Sequence, residues 1–327
     1  MSRRIAFALA LTACGSHGSG VGDDAPAVGS DALTLVDAPP LGGPCGMRTG
    51  MRGKTARTVT AAGLDRTYTV YLPASVDPST PIPFVAVFHG YTMSGAEMFD
   101  ITQYSELADS EHIAVVFPDG QGGPDSLGAP WNVGANVCPD SLGTPPDATG
   151  DDFAFLDAMK ADVWQDQCLD TDHEFVTGFS MGGYFSHQTG CMRDDIRSVA
   201  PHSGGTHDLS ACPTGHKPII IFHGTADPVV PDGCDDPGGN TPAGYTASAT
   251  MWAQKNGCGT TTTAMPVAMG SCAYYDGCPA DGQVALCTLT NMGHCWAGGP
   301  ASAGVYACPG FASATQLEWT FWKTYAW

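Results

Sequence analysis

Apolar residues in this chain gather in short blocks, separated by polar stretches that are rich in glycine and proline. Residues 83–88 and 113–117 are continuous apolar runs, a pattern typical of strands that are buried on both faces of a sheet. Residues 66–72 alternate and are rich in β-forming side chains, which predicts another strand. Shorter blocks of the same kind predict strands at residues 174–177, 198–201, 218–222 and 284–289.

Three longer segments have the features of helices. Asp151 and Asp152 precede an apolar-rich run to residue 164, and acidic side chains favour a helix N-terminus. Residues 245–255 have a helical pattern, and an aromatic-rich helix is predicted at residues 314–325. A further helix is expected directly after Ser180. Strands that alternate with helices predict an α/β fold with a mainly parallel sheet.

The beginning of the chain predicts export. Two arginines precede a short apolar run that cannot span a bilayer as a permanent helix, so residues 1–14 are predicted to be a signal peptide. Its ending, Leu-Thr-Ala-Cys, resembles a bacterial lipobox and makes Cys14 a lipidation candidate, with a plain signal peptide as the alternative. Residues 15–44 predict a flexible linker rich in Gly, Ser, Asp and Pro, and residues 45–327 a single domain.

The charge balance limits the partners. With 33 acidic and 13 basic side chains, the formal net charge is −20. Such a surface repels nucleic-acid phosphates and anionic membranes. We therefore expect no nucleic-acid partner and no membrane contact except through a lipid on Cys14. The prediction is a secreted monomer, held at the cell surface or outer membrane of a bacterium if Cys14 is acylated.

The cysteine count agrees with export. The chain has 13 cysteines, and setting Cys14 aside leaves an even set of twelve. An even set behind an export signal predicts up to six disulfides, formed in an oxidising compartment. Twelve cysteines allow about 10⁴ pairings, so the connectivity stays open. No C-x-x-C spacing occurs, which gives little support to a zinc ribbon or a thioredoxin-type site.

Ser180 is the candidate nucleophile. It lies between Gly178 and Gly182 in the pattern G-x-S-x-G, which is weak alone because 42 of the 327 residues are glycine. Its position between a predicted strand and a predicted helix adds weight, since a tight turn there lifts the hydroxyl off the sheet. The backbone N–H of Met181 would then lie at a helix N-terminus, where it can stabilise an oxyanion.

A serine nucleophile needs a base, and the base needs an acid to orient it. In the order serine, acid, histidine, the candidates are Asp227 and His294, each in a loop after a predicted strand, where an open parallel sheet carries its site. The alternative acids are Asp232, Asp235 and Asp236, which could instead form a calcium site or a solvated acidic loop. The competing histidines that we considered are His187, His202, His207 and His223.

A second donor to an oxyanion is expected in the loop that follows the strand at residues 83–88. This loop begins His89-Gly90-Tyr91. The backbone N–H of Tyr91 is the candidate donor, with Gly90 giving the chain room for a close approach. His89 is interpreted as a structural residue that holds the loop in place.

Taken together, the motifs YTVYLP, AVFHG, FPDG, DDFAFLDAM, GFSMGG, PHSGG, IFHGTADPVVP and GHCWAGG resemble those of the extracellular feruloyl and acetylxylan esterases and the poly(3-hydroxybutyrate) depolymerases. The resemblance runs from residue 66 to residue 296 and implies an α/β-hydrolase fold. It also implies Trp131, Asn132 and Trp296 as substrate-binding candidates, with a core aromatic as the alternative for Trp131. Ala297 replaces a proline of the relatives, which leaves the shape of that rim open.

The resulting hypothesis is a serine esterase that acts on esters of plant polysaccharide, with Ser180, Asp227 and His294 as its triad. No metal or organic cofactor is implied, and the partner is a polymeric or oligomeric ester. The absence of an apolar insertion between Ser180 and Asp227 predicts that no lid domain covers the cleft. The alternatives are a poly(3-hydroxybutyrate) depolymerase or related polyesterase, and a non-catalytic surface-binding protein on the same fold.

Overall fold

A ten-stranded mixed sheet organises the chain in this computed structural model. The structure describes residues 45, 48, 50–123, 130–133, 150–206, 209–210, 212–232 and 244–327. The strands are β1 (Gly53–Ala61), β2 (Leu64–Leu72), β3 (Ile82–Phe88), β4 (Ala114–Pro118), β5 (Leu169–Phe179), β6 (Ser198–His202), β7 (Ile219–Gly224), β8 (Thr262–Val267), β9 (Gly270–Tyr275), β10 (Val284–Leu289), β11 (Trp296–Ala297) and β12 (Ala307–Cys308). The helices are α1 (Gly95–Thr102), α2 (Tyr104–Glu111), α3 (Asp152–Asp166), α4 (Met181–Met192), α5 (Tyr245–Lys255) and α6 (Ala314–Tyr325).

The centre of the sheet is parallel, as the continuous apolar runs predict. The strand order is β1-β2-β4-β3-β5-β6-β7-β10-β9-β8, and every pairing from β4 to β10 is parallel. The pairings outside this block are antiparallel. All residues of β3, β4, β6 and β7 are buried, which explains why their sequences show no alternation.

Two layers of helices cover the faces of the sheet. One apolar cluster joins side chains of α3, α4 and α5 to one face, and a second cluster joins α1, α2 and α6 to the other. The aromatic residues that predicted the last helix pack inward, where Trp322 stacks on Phe175 of β5 with ring centroids 4.6 Å apart. The arrangement confirms the predicted α/β architecture with helices on both sides.

The sequence patterns did not predict the edge strands β1 and β8 or the short helices α1 and α2. β1 alternates half-buried with exposed positions, and β8 is almost wholly exposed, so neither contains an apolar block. α1 and α2 are short, and Gln103 between them adopts a left-handed conformation with φ 57°. Ser94 caps α1 in a capping box with Glu97, a signal that the sequence does contain.

Parallel pairing places the carboxyl ends of the strands that precede the candidate residues at the same edge of the sheet. β3, β5, β7 and β10 end at Phe88, Phe179, Gly224 and Leu289, and neighbouring strands run in the same direction. The loops that carry the candidate residues therefore leave the sheet along one edge.

Five disulfides join described cysteines, which is typical of a protein that folds in an oxidising, extracellular compartment. The pairs are Cys45–Cys168, Cys191–Cys212, Cys258–Cys278, Cys272–Cys287 and Cys295–Cys308. Cys138, Cys234, Cys14 and the predicted signal peptide and linker lie outside the described residues. None of the helices in the described ranges combines the length and the apolar character that crossing a membrane requires.

Candidate active site

Ser180 occupies a sharp turn between β5 and α4. Its backbone has φ 55° and ψ −117°, a conformation that side-chain-bearing residues rarely adopt. The flanking glycines are required by close backbone packing. A Cβ at Gly182 would lie 2.3 Å from the carbonyl oxygen of Phe88, and one at Gly178 would lie 2.4 Å from the carbonyl oxygen of Gly182. Ser180 N–H donates to the carbonyl of His202 at 2.9 Å, which fixes the turn to the next strand.

The loop after β3 lies directly beside this turn. A Cβ at Gly90 would lie 3.1 Å from Ser180 Cβ, so the His89-Gly90-Tyr91 segment passes against the serine. Met181 is the first residue of α4, and a first-turn N–H has no acceptor within its own helix. Both predicted oxyanion donors thus belong to segments that border Ser180.

His89 holds this loop, as the structural interpretation expected. Its ring is fully buried, and Gly120 N–H donates to its Nε2 at 2.8 Å. The other nitrogen, Nδ1, therefore carries the proton and donates to the carbonyl of Gly90 at 2.7 Å. Burial lowers the pKa of His89 to about 4, so the ring stays neutral.

Asp227 and His294 meet at the carboxyl ends of β7 and β10. His294 Nδ1 and Asp227 Oδ2 are 2.8 Å apart, and the other carboxylate oxygen accepts N–H groups of Val229 at 2.8 Å and Val230 at 2.9 Å. Burial alone would raise the pKa of Asp227, but hydrogen bonds from His223, His294 and Val230 outweigh it. The pKa of Asp227 therefore lies well below its usual range, and the carboxylate is ionised.

The ring of His294 lies close to the serine turn. Its centroid is 4.7 Å from the ring of Phe179, the residue before Ser180. Within the described residues no direct hydrogen bond joins Ser180 Oγ to His294, and such contacts often tighten only when substrate binds. Directly after His294, the Cys295–Cys308 disulfide and the parallel pairing of β11 with β12 fix the loop.

The three substrate-binding candidates differ in exposure. Trp131 is 1% exposed, donates its indole N–H to the carbonyl of His89 at 2.8 Å, and stacks on Phe185. These contacts support its alternative interpretation as a core aromatic. Trp296 is likewise 1% exposed and stacks on His202 with ring centroids 4.7 Å apart. Neither indole offers a face to solvent in this conformation.

Asn132 is exposed and lines a cavity of about 290 Å³ together with Phe153, Phe185 and Gln188. Its backbone N–H donates to Asp152 at 2.6 Å, which fixes this part of the loop to the start of α3. Among the three candidates, only Asn132 presents its side chain at the surface.

The competing acid and histidines have other partners. Asp232 accepts hydrogen bonds from the N–H of Thr246 at 2.8 Å and from its hydroxyl at 2.6 Å, so its carboxylate is bound to the first turn of α5. His187 is buried, and its Nδ1 accepts the indole N–H of Trp252 at 2.9 Å. His207, Asp235 and Asp236 lie outside the described residues. In the ranges that the structure describes, no three His, Cys, Asp or Glu side chains form a group that could hold a metal ion.

Sequence reasoning missed the supporting part played by His202. Its Nε2 accepts the N–H of Ala297 at 3.1 Å, and its other ring nitrogen contacts the hydroxyl of Ser203 at 3.0 Å. Burial lowers the pKa of His202 well below its usual value, so the ring is neutral. The sequence does place His202 at the end of a buried strand, but we considered this histidine only as a possible base.

A mainly parallel sheet, a strained serine after a central strand and an Asp–His pair at the same edge are features of the α/β-hydrolase fold. Comparison with solved structures confirms this fold. An acetyl xylan esterase from Aspergillus awamori superposes with a TM-score of 0.53 at 13% identity, covering 73% of this chain and 94% of that one.

In sequence, the chain is similar to feruloyl esterases, which confirms the resemblance seen in its motifs. It is 28% identical over 236 residues to feruloyl esterase B of Piromyces equi, covering 69% of this chain and 42% of that protein. It is 30% identical over 216 residues to feruloyl esterase D of Neurospora crassa, covering 61% and 66%. The chain spans about half the length of the curated relatives it matches first. No protein-family model matches it.

Proposed function

We propose that the chain is a secreted serine esterase that hydrolyses carboxylic esters on plant polysaccharide, of the feruloyl or acetylxylan esterase type. The observation that carries the proposal is the 2.8 Å contact between His294 and an ionised Asp227, at the sheet edge where Ser180 is held in a strained turn. The similarity to feruloyl esterases supports the substrate class.

In this mechanism Ser180 Oγ attacks the ester carbonyl carbon while His294 Nε2 takes the hydroxyl proton. Asp227 holds His294 in the tautomer with the proton on Nδ1 and stabilises the imidazolium that forms. The N–H groups of Met181 and Tyr91 donate hydrogen bonds to the carbonyl oxygen and stabilise the negative charge that develops on it.

His294 then returns its proton to the leaving alcohol as the carbon–oxygen bond breaks, and the acyl group remains on Ser180. A water molecule gives its proton to His294 and attacks this ester. Collapse of the second tetrahedral intermediate releases the acid, and the proton on His294 returns to Ser180 Oγ. Each step needs only the side chains named above and water.

The test is hydrolysis of methyl ferulate by the purified protein and by Ser180→Ala. We expect kcat/KM to fall at least about 10³-fold, because loss of the nucleophile leaves only the contribution of binding and the oxyanion donors. Ser110→Ala is the matched control, since Ser110 is an exposed helical serine that bonds only the carbonyl of Leu107. Full activity in Ser180→Ala would refute the proposal.

The same assay sorts the substrate class when methyl ferulate, acetylated xylan and amorphous poly(3-hydroxybutyrate) are compared. We expect release from the ferulate or acetyl ester to be fastest. Faster release from the polyester would replace the polysaccharide assignment with a polyesterase. Binding of these polymers without cleavage of any ester would favour the non-catalytic protein.

We also propose that acylation of Cys14 tethers the protein to a bacterial membrane. The support is the arginine-led apolar run and its Leu-Thr-Ala-Cys ending. Intact mass of the membrane-extracted protein should show a lipid at Cys14 and a chain that begins there. An unmodified mature protein in the medium would contradict the tether.

A further inference from the structure

A second histidine contacts the carboxylate of Asp227. His223 lies in β7, is fully buried, and stacks on Tyr245 with ring centroids 4.3 Å apart. Its Nε2 is 2.7 Å from the carbonyl oxygen of Val230 and 3.4 Å from Asp227 Oδ2. The same oxygen, Oδ2, is the one that His294 contacts.

The partners of His223 fix its proton. A carbonyl oxygen only accepts hydrogen bonds, so Nε2 must carry a proton, which it donates to Val230, with Asp227 Oδ2 3.4 Å from the same nitrogen. The opposite nitrogen, Nδ1, is buried and has no hydrogen-bond partner among the described residues. His223 is therefore a donor through Nε2, which the carbonyl of Val230 holds beside the acid.

The contacts close a ring around Asp227. Val230 donates its N–H to Asp227 Oδ1 at 2.9 Å and accepts from His223 through its carbonyl, while His223 reaches Oδ2. The carboxylate is thereby held at both oxygens, which prevents it from rotating out of the plane that His294 needs. His223 cannot itself reach a substrate, since it is 0% exposed behind the acid.

We propose that His223 is a positioning residue that orients Asp227 and, through it, sets the tautomer and basicity of His294. This inference rests on the proposed function, because it assigns His223 a role in the same triad. The other titratable groups around the pair are His202, Tyr184, Tyr245 and Asp232.

The test compares His223→Gln with His223→Asn. The Gln amide nitrogen can reach the place of Nε2, whereas the shorter Asn amide cannot span to Val230 and Asp227. We expect His223→Gln to keep kcat within about threefold and His223→Asn to lose about 10- to 100-fold in kcat with little change in KM. We also expect the acid limb of the kcat/KM–pH profile to move up in His223→Asn, because a carboxylate with one donor fewer holds the His294 imidazolium more strongly.

Equal activity and equal pH profiles in the two variants would overturn the proposal. A measurement that does not depend on catalysis distinguishes failure of the proposal for His223 from failure of the esterase assignment. The low-field proton NMR signal of the Asp227–His294 hydrogen bond should shift or broaden in His223→Asn and stay in place in Ser180→Ala and His223→Gln. An unchanged signal in His223→Asn would also overturn the inference, whatever the enzyme hydrolyses.

Discussion

The turn that carries Ser180 and the loop that carries His294 border the same edge of the sheet, yet the chain builds them differently. Around Ser180 the backbone packs so closely that a Cβ at Gly182 would lie 2.3 Å from one carbonyl oxygen and 2.7 Å from another. Beside His294, a Cβ at Gly293 would meet nothing within 4 Å. There the Cys295–Cys308 disulfide and the bond to Asp227 hold the loop instead.

This difference predicts that substitutions in the two regions affect the protein in different ways. The serine turn is part of the packed core, so a change there should act on folding before it acts on chemistry. The histidine loop also has buried residues, but there is open space at Gly293, and His294 itself is held by a cross-link and by polar contacts. A change at Gly293 or His294 should therefore alter activity while the fold survives.

Gly182→Ala should break the serine turn. The new methyl group would collide with the carbonyl oxygens of Phe88 and His89, and backbone atoms cannot move aside as a flexible side chain can. We expect the free energy of unfolding to fall by at least about 3 kcal/mol, or the protein to fail to fold. Chemical denaturation monitored by the fluorescence of its tryptophans measures this change.

Gly293→Ala is the matched control, one residue before His294. With open space at that position, it should change the free energy of unfolding by less than about 0.5 kcal/mol. Similar losses in the two variants would show that the turn and the loop are not held differently.

Asp227→Asn should have the opposite effect to Gly182→Ala. The protein should still fold, but it should lose activity. The amide oxygen can keep the bonds from Val229 and Val230, but the amide nitrogen would then donate towards Nδ1 of His294. This favours the wrong tautomer of the base, and we expect kcat to fall by about 10⁴-fold. Methyl ferulate hydrolysis measures the effect, and an unfolding curve close to that of the native protein is the control. Near-native kcat would show that another acid orients His294.

The elements that carry the site were predictable because each is a buried strand. β3, β7 and β10 are mostly apolar, and the loop after each of them contains a candidate residue. Parallel pairing then fixes where those loops meet, so Ser180, Asp227 and His294 could be grouped from their order alone. Their separations in space could not be, since these depend on how each loop folds back.

What sequence reasoning missed depends on contacts between distant segments. The first half of β5 is polar and partly exposed, so only its apolar second half looked like a strand. Trp131 and Trp296 are aromatic residues beside the site, and nothing local reveals that both indoles point into the core. The five pairings among described cysteines likewise follow from tertiary neighbours, not from spacing.

Two disulfides differ in their distance from His294, and their removal should change activity to different extents. Replacing both Cys295 and Cys308 by Ser opens a cross-link between residues 13 apart that begins directly after His294. Replacing both Cys258 and Cys278 opens one between residues 20 apart, near the start of β10 and away from the site. Loop-closure entropy predicts a similar loss of about 3 kcal/mol for each, because the separations are similar.

Activity should distinguish the two double variants. Loss of Cys295–Cys308 frees the segment that positions His294, so we expect kcat/KM for methyl ferulate to fall about tenfold at a temperature where both proteins are folded. Loss of Cys258–Cys278 should leave kcat/KM within about twofold of the native value, because β10 itself is paired on both sides, with β7 and with β9. If the two variants lose activity equally, the cross-link beside His294 stabilises the domain without positioning the base, and the contact with Asp227, the β11–β12 pairing and the bond from Ala297 to His202 must hold the loop.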